Sequence, residues 1–143
     1  MAESQQNLKN HARYVPMFHF VMFALLVGNF LRAARTLLPM SQDSFWRLAV
    51  AVALLLLAWF ARAFPVTAQD RIIRLEEKLR LEKLAPELQS RLDEFKPEQW
   101  TALRFASDAE LPALARDVLS GKLVKPADIK QAIKTWRPDH LRV

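Results

Sequence analysis

The chain of 143 residues has no cysteine and only two glycines. The first absence excludes a disulfide framework, a thiolate zinc site and a cysteine nucleophile. The second leaves no glycine-rich loop to cradle a phosphate. Nucleophile elbows of the G-x-S-x-G type, Walker loops and H-E-x-x-H pairs are missing as well. The chain therefore reads as non-enzymatic, with no catalytic residue, no metal site and no resident cofactor, subject to one histidine considered below. Charge is scarce in one half. Residues 1–65 hold eight charged side chains, Lys9, Arg13, Arg32, Arg35, Arg47 and Arg62 against Glu3 and Asp43, a net +4. Residues 66–143 hold 15 basic and 13 acidic residues, a net +2. The near-zero mean hydropathy of −0.01 is thus an average over two unlike segments. A membrane segment followed by a charged, water-facing segment produces that division.

What the first half has instead is apolar length. Tyr14–Leu31 carries no formal charge over 18 residues and is bracketed by Arg13 and Arg32. At about 1.5 Å per residue it covers about 27 Å, close to the hydrocarbon thickness of a bilayer. It is too long for a signal h-region and lacks a clean cleavage site, which favours an uncleaved anchor. Leu48–Ala61 is shorter, at 14 residues. Phe45 and Trp46 at one end and Trp59, Phe60 and Phe64 at the other give it an aromatic belt, and Arg47 and Arg62 flank it. Ser41 or Asp43 can cap it, and Pro65 is expected to end it. Two spans, at about 14–35 and 44–64, would form a transmembrane hairpin after a polar tail, 1–13. The membrane-interface anchors are Arg13, Arg32, Trp46, Arg47, Trp59 and Arg62. The pairs Ala24/Gly28 and Ala49/Ala53, each four apart, are candidates for close helix–helix packing. Seven basic residues on the terminal side against three in the connection place both termini in the cytoplasm by the positive-inside rule.

After Pro65 the pattern is a series of short amphipathic helices without period-2 strands, expected to form a cytoplasmic multi-helix domain, 66–143. Ile72, Leu75 and Leu79 mark one face of a first helix over about 67–84, with acid-before-base pairs Asp70/Arg74 and Glu76/Arg80. The stripe is too short for a sustained coiled coil. Pro86 opens a helix with Leu88, Leu92 and Phe95 on one face, and Pro97 one with Trp100, Leu103 and Ala106. Ser107 and Glu110 fit a capping box for a helix carrying Leu111, Leu114, Ala115 and Val118. Pro126 opens the last, with Ile129, Ala132, Ile133 and Trp136, and Pro138 stops it. The predicted core is Trp100, Leu103, Leu111, Leu114, Val118, Ile129, Ile133 and Trp136. The fold class is all-α.

One side chain stands out. His19 lies inside the first span, where a polar ring needs a protein or cofactor partner. Hydrogen bonding to a neighbouring helix is the plainer reading, and axial ligation of a haem or chlorophyll is the alternative. His11 and His140 lack metal-ligand spacing. Glu76/Glu77 and Asp93/Glu94 read as solvated helix faces. The basic end (Lys122, Lys125, Lys130, Lys134, Arg137, Arg142) suits anionic lipid better than nucleic acid, since acids are interspersed and no reading motif accompanies it.

The segments KNHARYVPMFHF (Lys9–Phe20), LRFASDAELPAL (Leu103–Leu114) and IKQAIKTWRPDHLRV (Ile129–Val143) resemble a family of small bacterial membrane proteins of unknown function. The resemblance covers nearly the whole chain. It implies two N-terminal spans and a bacterial inner membrane, and it transfers no site residues. The expected partners are the bilayer and a protein, either another subunit of a membrane complex or further copies of the chain.

Overall fold

Local sequence sets where each helix begins in the computed structural model, which describes residues 7, 8, 10 and 15–139. Helix α1 (Met17–Arg35) starts just after Pro16. Proline suits that place because its missing N–H is one a helix start leaves unpaired anyway. The first turns, Met17–Met22, are wound as a π-helix before the α-helical Phe23–Arg35. The Thr36 hydroxyl donates to the carbonyls of Arg32 and Ala33, both at 3.2 Å, where the helix stops. Helix α2 (Gln42–Leu84) begins at Ser41, whose Oγ accepts the Ser44 N–H at 3.1 Å. The Ser44 Oγ in turn accepts the Ser41 N–H at 2.8 Å. This reciprocal pair selects Ser41, not Asp43, as the cap.

Pro65 does not end the second helix. Helix α2 runs 43 residues, through Pro65 and on to Leu84. An interior proline loses one hydrogen bond and costs roughly 3 kcal/mol. Here the ring lies on an exposed face, and so does Ala61, whose carbonyl it meets. Good helix formers on both sides carry the helix through. The two segments expected to be separate, the second span and the 67–84 helix, are one element.

The chain divides into two compact units. One is Tyr14–Val66. Burial within it falls on Ala33 in α1 and on Ser44, Ala51 and Ala58, seven residues apart, in α2. Between these, Phe23, Leu26, Phe30, Leu48 and Leu55 are half-buried. The expected packing pairs are not in these rows. Ala24, Gly28 and Ala53 are exposed and Ala49 is half-buried, and a Cβ on Gly28 would meet nothing within 4 Å. Helical phase explains the correction: the buried rows repeat at three and four residues through Ala33, Ala51 and Ala58, and the expected pairs lie off that phase.

The other unit contains Thr67–Val143. A 3₁₀-helix, Pro86–Glu94, follows α2, then come α3 (Pro97–Leu103), α4 (Leu111–Leu119) and α5 (Pro126–Ala132). Proline stands in the first turn of each, where it costs least. Among the described residues the fold is all-helical, with one isolated bridge between Ala106 and Trp136. Trp100, Leu103, Phe105, Leu111 and Ile129 are fully buried, and Leu114, Val118 and Ile133 lie beside them in one cluster. Trp136 packs against that cluster half-buried, from outside any helix.

Two local expectations change. Helix α4 starts at Leu111, not Ser107, and this puts Pro112 in its first turn. The Glu110 carboxylate does not reach back to the Ser107 N–H, although the Glu110 N–H donates to the Ser107 carbonyl at 3.1 Å. The carboxylate instead accepts the N–H groups of Lys134 and Thr135, at 3.2 and 3.1 Å. Those two donors are thereby spent outside a helix, so α5 ends at Ala132 and the chain bends at Lys134 and Thr135 before the bridge at Trp136.

Candidate functional site

The residues that converge in the 67–143 unit start from an unusual placement on α2. Ile73, Glu77 and Leu81, four apart, form its buried face. Glu77 is only 4% exposed. It is not on a solvated face, and the stripe Ile72, Leu75 and Leu79 is not the one that meets the core. Those three are exposed. Neither of the anticipated pairs Asp70/Arg74 and Glu76/Arg80 is among the ion pairs of the described residues, because Arg80 turns instead toward Glu77.

A buried carboxylate needs partners, and two arginines, Arg80 and Arg137, reach this one, while a third, Arg104, lies in the lining of the same cleft. Arg80 Nη1 lies 2.9 Å from Glu77 Oε2. Its Nη2 donates to the Ala106 carbonyl at 2.7 Å, and the same guanidinium meets Asp108 at 2.6 Å. Arg137 Nη1 reaches Glu77 Oε1 at 3.4 Å. Arg104, itself buried, has Nε 3.0 Å from Asp139 Oδ2 and its guanidinium carbon 4.3 Å above the Phe105 ring. Burial pushes the Glu77 carboxyl above the usual glutamate range, against the opposing pull of Arg80 and Arg137.

These groups border an open cleft of about 660 Å³. Its lining joins apolar Ile73, Leu79 and Leu84 to a nearly balanced set of charges. The cations at the cleft are largely committed to carboxylates of the same chain, so the arrangement works as a clasp. It fastens the C-terminal segment to α2, helped by the Arg137 N–H on the Phe105 carbonyl at 2.8 Å and the Ser107 N–H on the Thr135 carbonyl at 3.1 Å. The basic C-terminal set is partly consumed in the same way. Lys122 pairs with Asp117 at 3.0 Å, and Arg137 belongs to the clasp. Sequence reading missed Glu77, Arg80 and Arg104 as a group. The available signal was that Ile73 and Leu81 flank Glu77 at four residues either side.

His19 lies half-exposed at the start of α1. Its Nδ1 is 3.1 Å from the Val15 N–H and 3.0 Å from the Val15 carbonyl, so either tautomer has a backbone partner there. The ring also packs edge-on against Phe18, at 5.2 Å between centroids. Among the described residues no cluster of three potential metal ligands occurs. Trp46 and Trp59 are exposed, Arg32 and Arg47 likewise, and Arg62 is half-buried. Arg13, Lys9, His11, Tyr14, His140 and Arg142 lie outside the described residues.

Two long apolar helices, a small helical unit and a clasp of ion pairs define an all-helical protein without a recognisable catalytic constellation among the described residues. The chain belongs to a family of unknown function, DUF6526, whose model matches residues 1–143. No curated protein and no solved structure matches it.

Proposed function

We propose that this chain is a non-enzymatic protein of a bacterial inner membrane. In this reading a transmembrane hairpin anchors it, and its cytoplasmic helices act as the interaction module of a membrane complex. The observation that carries the reading is apolar surface left uncovered. α1 and the first part of α2 are each long and apolar enough to cross a bilayer, yet only 6% and 11% of their most apolar windows are buried. A core helix of a water-soluble protein would bury most of that surface, whereas lipid covers it at no cost. The exposed Phe45, Trp46, Trp59 and Phe64 fit the two headgroup levels. Buried Ala33, Ala51 and Ala58 fit close contact between the hairpin's two helices. The balance of basic residues favours both termini in the cytoplasm.

A binding role is favoured over a catalytic one because most charges at the cleft, those of Glu77, Arg80, Arg104, Asp108, Arg137 and Asp139, are committed to one another. Alkaline carbonate extraction of membranes, combined with reporter fusions at Val143 and near Met40, tests the reading. The expected result is retention in the membrane pellet, a cytoplasmic signal at Val143 and a periplasmic one near Met40. Release by carbonate would refute the membrane placement, and the reversed reporters would refute the orientation.

A further inference from the structure

We propose that the outer face of α2 beyond the membrane is a seam for a second, parallel copy of this chain. The proposal rests on the membrane reading above. Ile73, Glu77 and Leu81 face their own unit and are buried. On the opposite side Ile72 and Leu75 are 57% and 60% exposed with Ala68 continuing the row, and Leu79, 51% exposed, stands between this face and the rim of the cleft. Ala68 and Leu75 are seven apart, as are Ile72 and Leu79, with alternating steps of four and three. That is the spacing of the two inward positions of a coiled-coil pair.

The flanking charges say what covers the seam. In a parallel pair, the residue preceding one inward position faces the residue five further along the second chain. Arg71 then meets Glu76 of the second copy, and Glu76 meets its Arg71, two attractive contacts related by symmetry. Arg71 and Glu76 are in no ion pair among the described residues, so both are available. By the same rule Lys78 faces Lys83 of the second copy, a like-charge contact that opposes the Arg71–Glu76 pair, weakened because Lys78 is held by Asp93 of its own chain at 2.5 Å. An antiparallel pair would set Arg71 near Lys78, cation against cation. Two copies inserted in one bilayer with the same orientation can meet only in the parallel sense, which is the sense the charges favour. Two heptads are too few to hold a free coiled coil together. Confinement of both copies to one membrane raises their effective concentration and offsets that shortfall.

The absence of native cysteine makes the test direct. Full-length chain carrying Leu75→Cys, in its native membranes under mild oxidation, is expected to give a disulfide-linked species of twice the chain mass. Ser90→Cys, on the exposed side of the 3₁₀-helix, is not. Adding Arg71→Glu to Leu75→Cys should lower the linked fraction severalfold, and Arg71→Glu with Glu76→Arg should restore it. Linkage of Leu75→Cys no greater than that of Ser90→Cys, linkage to a protein of another mass, or failure of the double exchange to restore it would each overturn the pairing. Carbonate extraction of the same membranes separates the two ideas. A chain that is retained but not linked refutes the seam alone, and a chain that is released refutes the membrane reading on which the seam rests.

Discussion

Glu77 and Arg137 meet at 3.4 Å although they stand 60 residues apart in the chain. Their contact closes the C-terminal segment onto α2, and Arg80 holds the other carboxylate oxygen at 2.9 Å. The 67–143 unit is too small for its hydrophobic core to leave much margin. A polar clasp of this kind then decides how firmly the C-terminal segment is held.

Glu77 sets a pH dependence of unusual sign. Its carboxyl titrates above the ordinary glutamate value of about 4.3 because it is buried. Between those two values the folded chain holds a proton that the unfolded chain has lost. The contribution is fully present below the ordinary value and is lost as pH rises through the folded one. Glu87, Asp93 and Glu94, held down by Arg116, Lys78 and Arg91, contribute oppositely and only at lower pH. Unfolding of the full chain in detergent should therefore show stability rising as pH falls toward the ordinary glutamate value, and Glu77→Gln should flatten that rise. An unchanged slope in Glu77→Gln would contradict the assignment.

Removing Arg80 should be costly. The Arg80→Ala change leaves Glu77 buried with only the longer Arg137 contact and frees the Ala106 carbonyl. Breaking a buried pair in this way costs about 3 kcal/mol. Arg80→Lys should recover little, because a single ammonium cannot span Glu77, Asp108 and the Ala106 carbonyl together. Chemical denaturation of the three proteins checks both statements.

Much of the helical unit was legible from proline and apolar spacing. Pro86, Pro97 and Pro126 begin helices, and Leu88, Leu92, Trp100, Leu103 and Ile129 are buried on the faces their spacing marked. The tail of α2 was not legible, because both of its sides carry apolar residues. Periodicity identifies a face without saying what it meets, so the exposed Ile72, Leu75 and Leu79 resembled a core stripe as well as Ile73 and Leu81 do. The clasp was hidden for another reason: its members come from residues 77, 80, 104, 108, 137 and 139, and no local pattern joins them. The end of α5 depended on the Glu110 carboxylate, again a contact across the chain.

Small residues in the first unit should divide into two behaviours. Gly28→Ala should not destabilise the protein and should raise its stability by up to about 1 kcal/mol, since the added Cβ meets open space and alanine is the better helix former. Ala51→Leu places a large side chain at a fully buried site and should cost about 1–3 kcal/mol. Equal effects would contradict the buried rows described here.

His19 should behave as a backbone partner. With Nδ1 against Val15, His19→Ala should lower the stability of the start of α1 by about 1 kcal/mol. The absorption spectrum of the protein purified from membranes should be the same with and without the substitution. A Soret band lost in His19→Ala would revive tetrapyrrole ligation.

The central claim is that lipid covers the apolar helices, and cysteine accessibility in intact membranes tests it most directly. Leu25 and Leu57 are 69% and 64% exposed on the isolated chain. In a water-soluble protein, cysteines at those positions would react with a water-soluble maleimide as fast as one at the exposed Ser90. Under a cover of lipid, Leu25→Cys and Leu57→Cys are predicted to stay unlabelled until detergent or denaturant is added, while Ser90→Cys reacts at once on the cytoplasmic side. Rapid labelling at Leu25→Cys and Leu57→Cys in sealed membranes would contradict it.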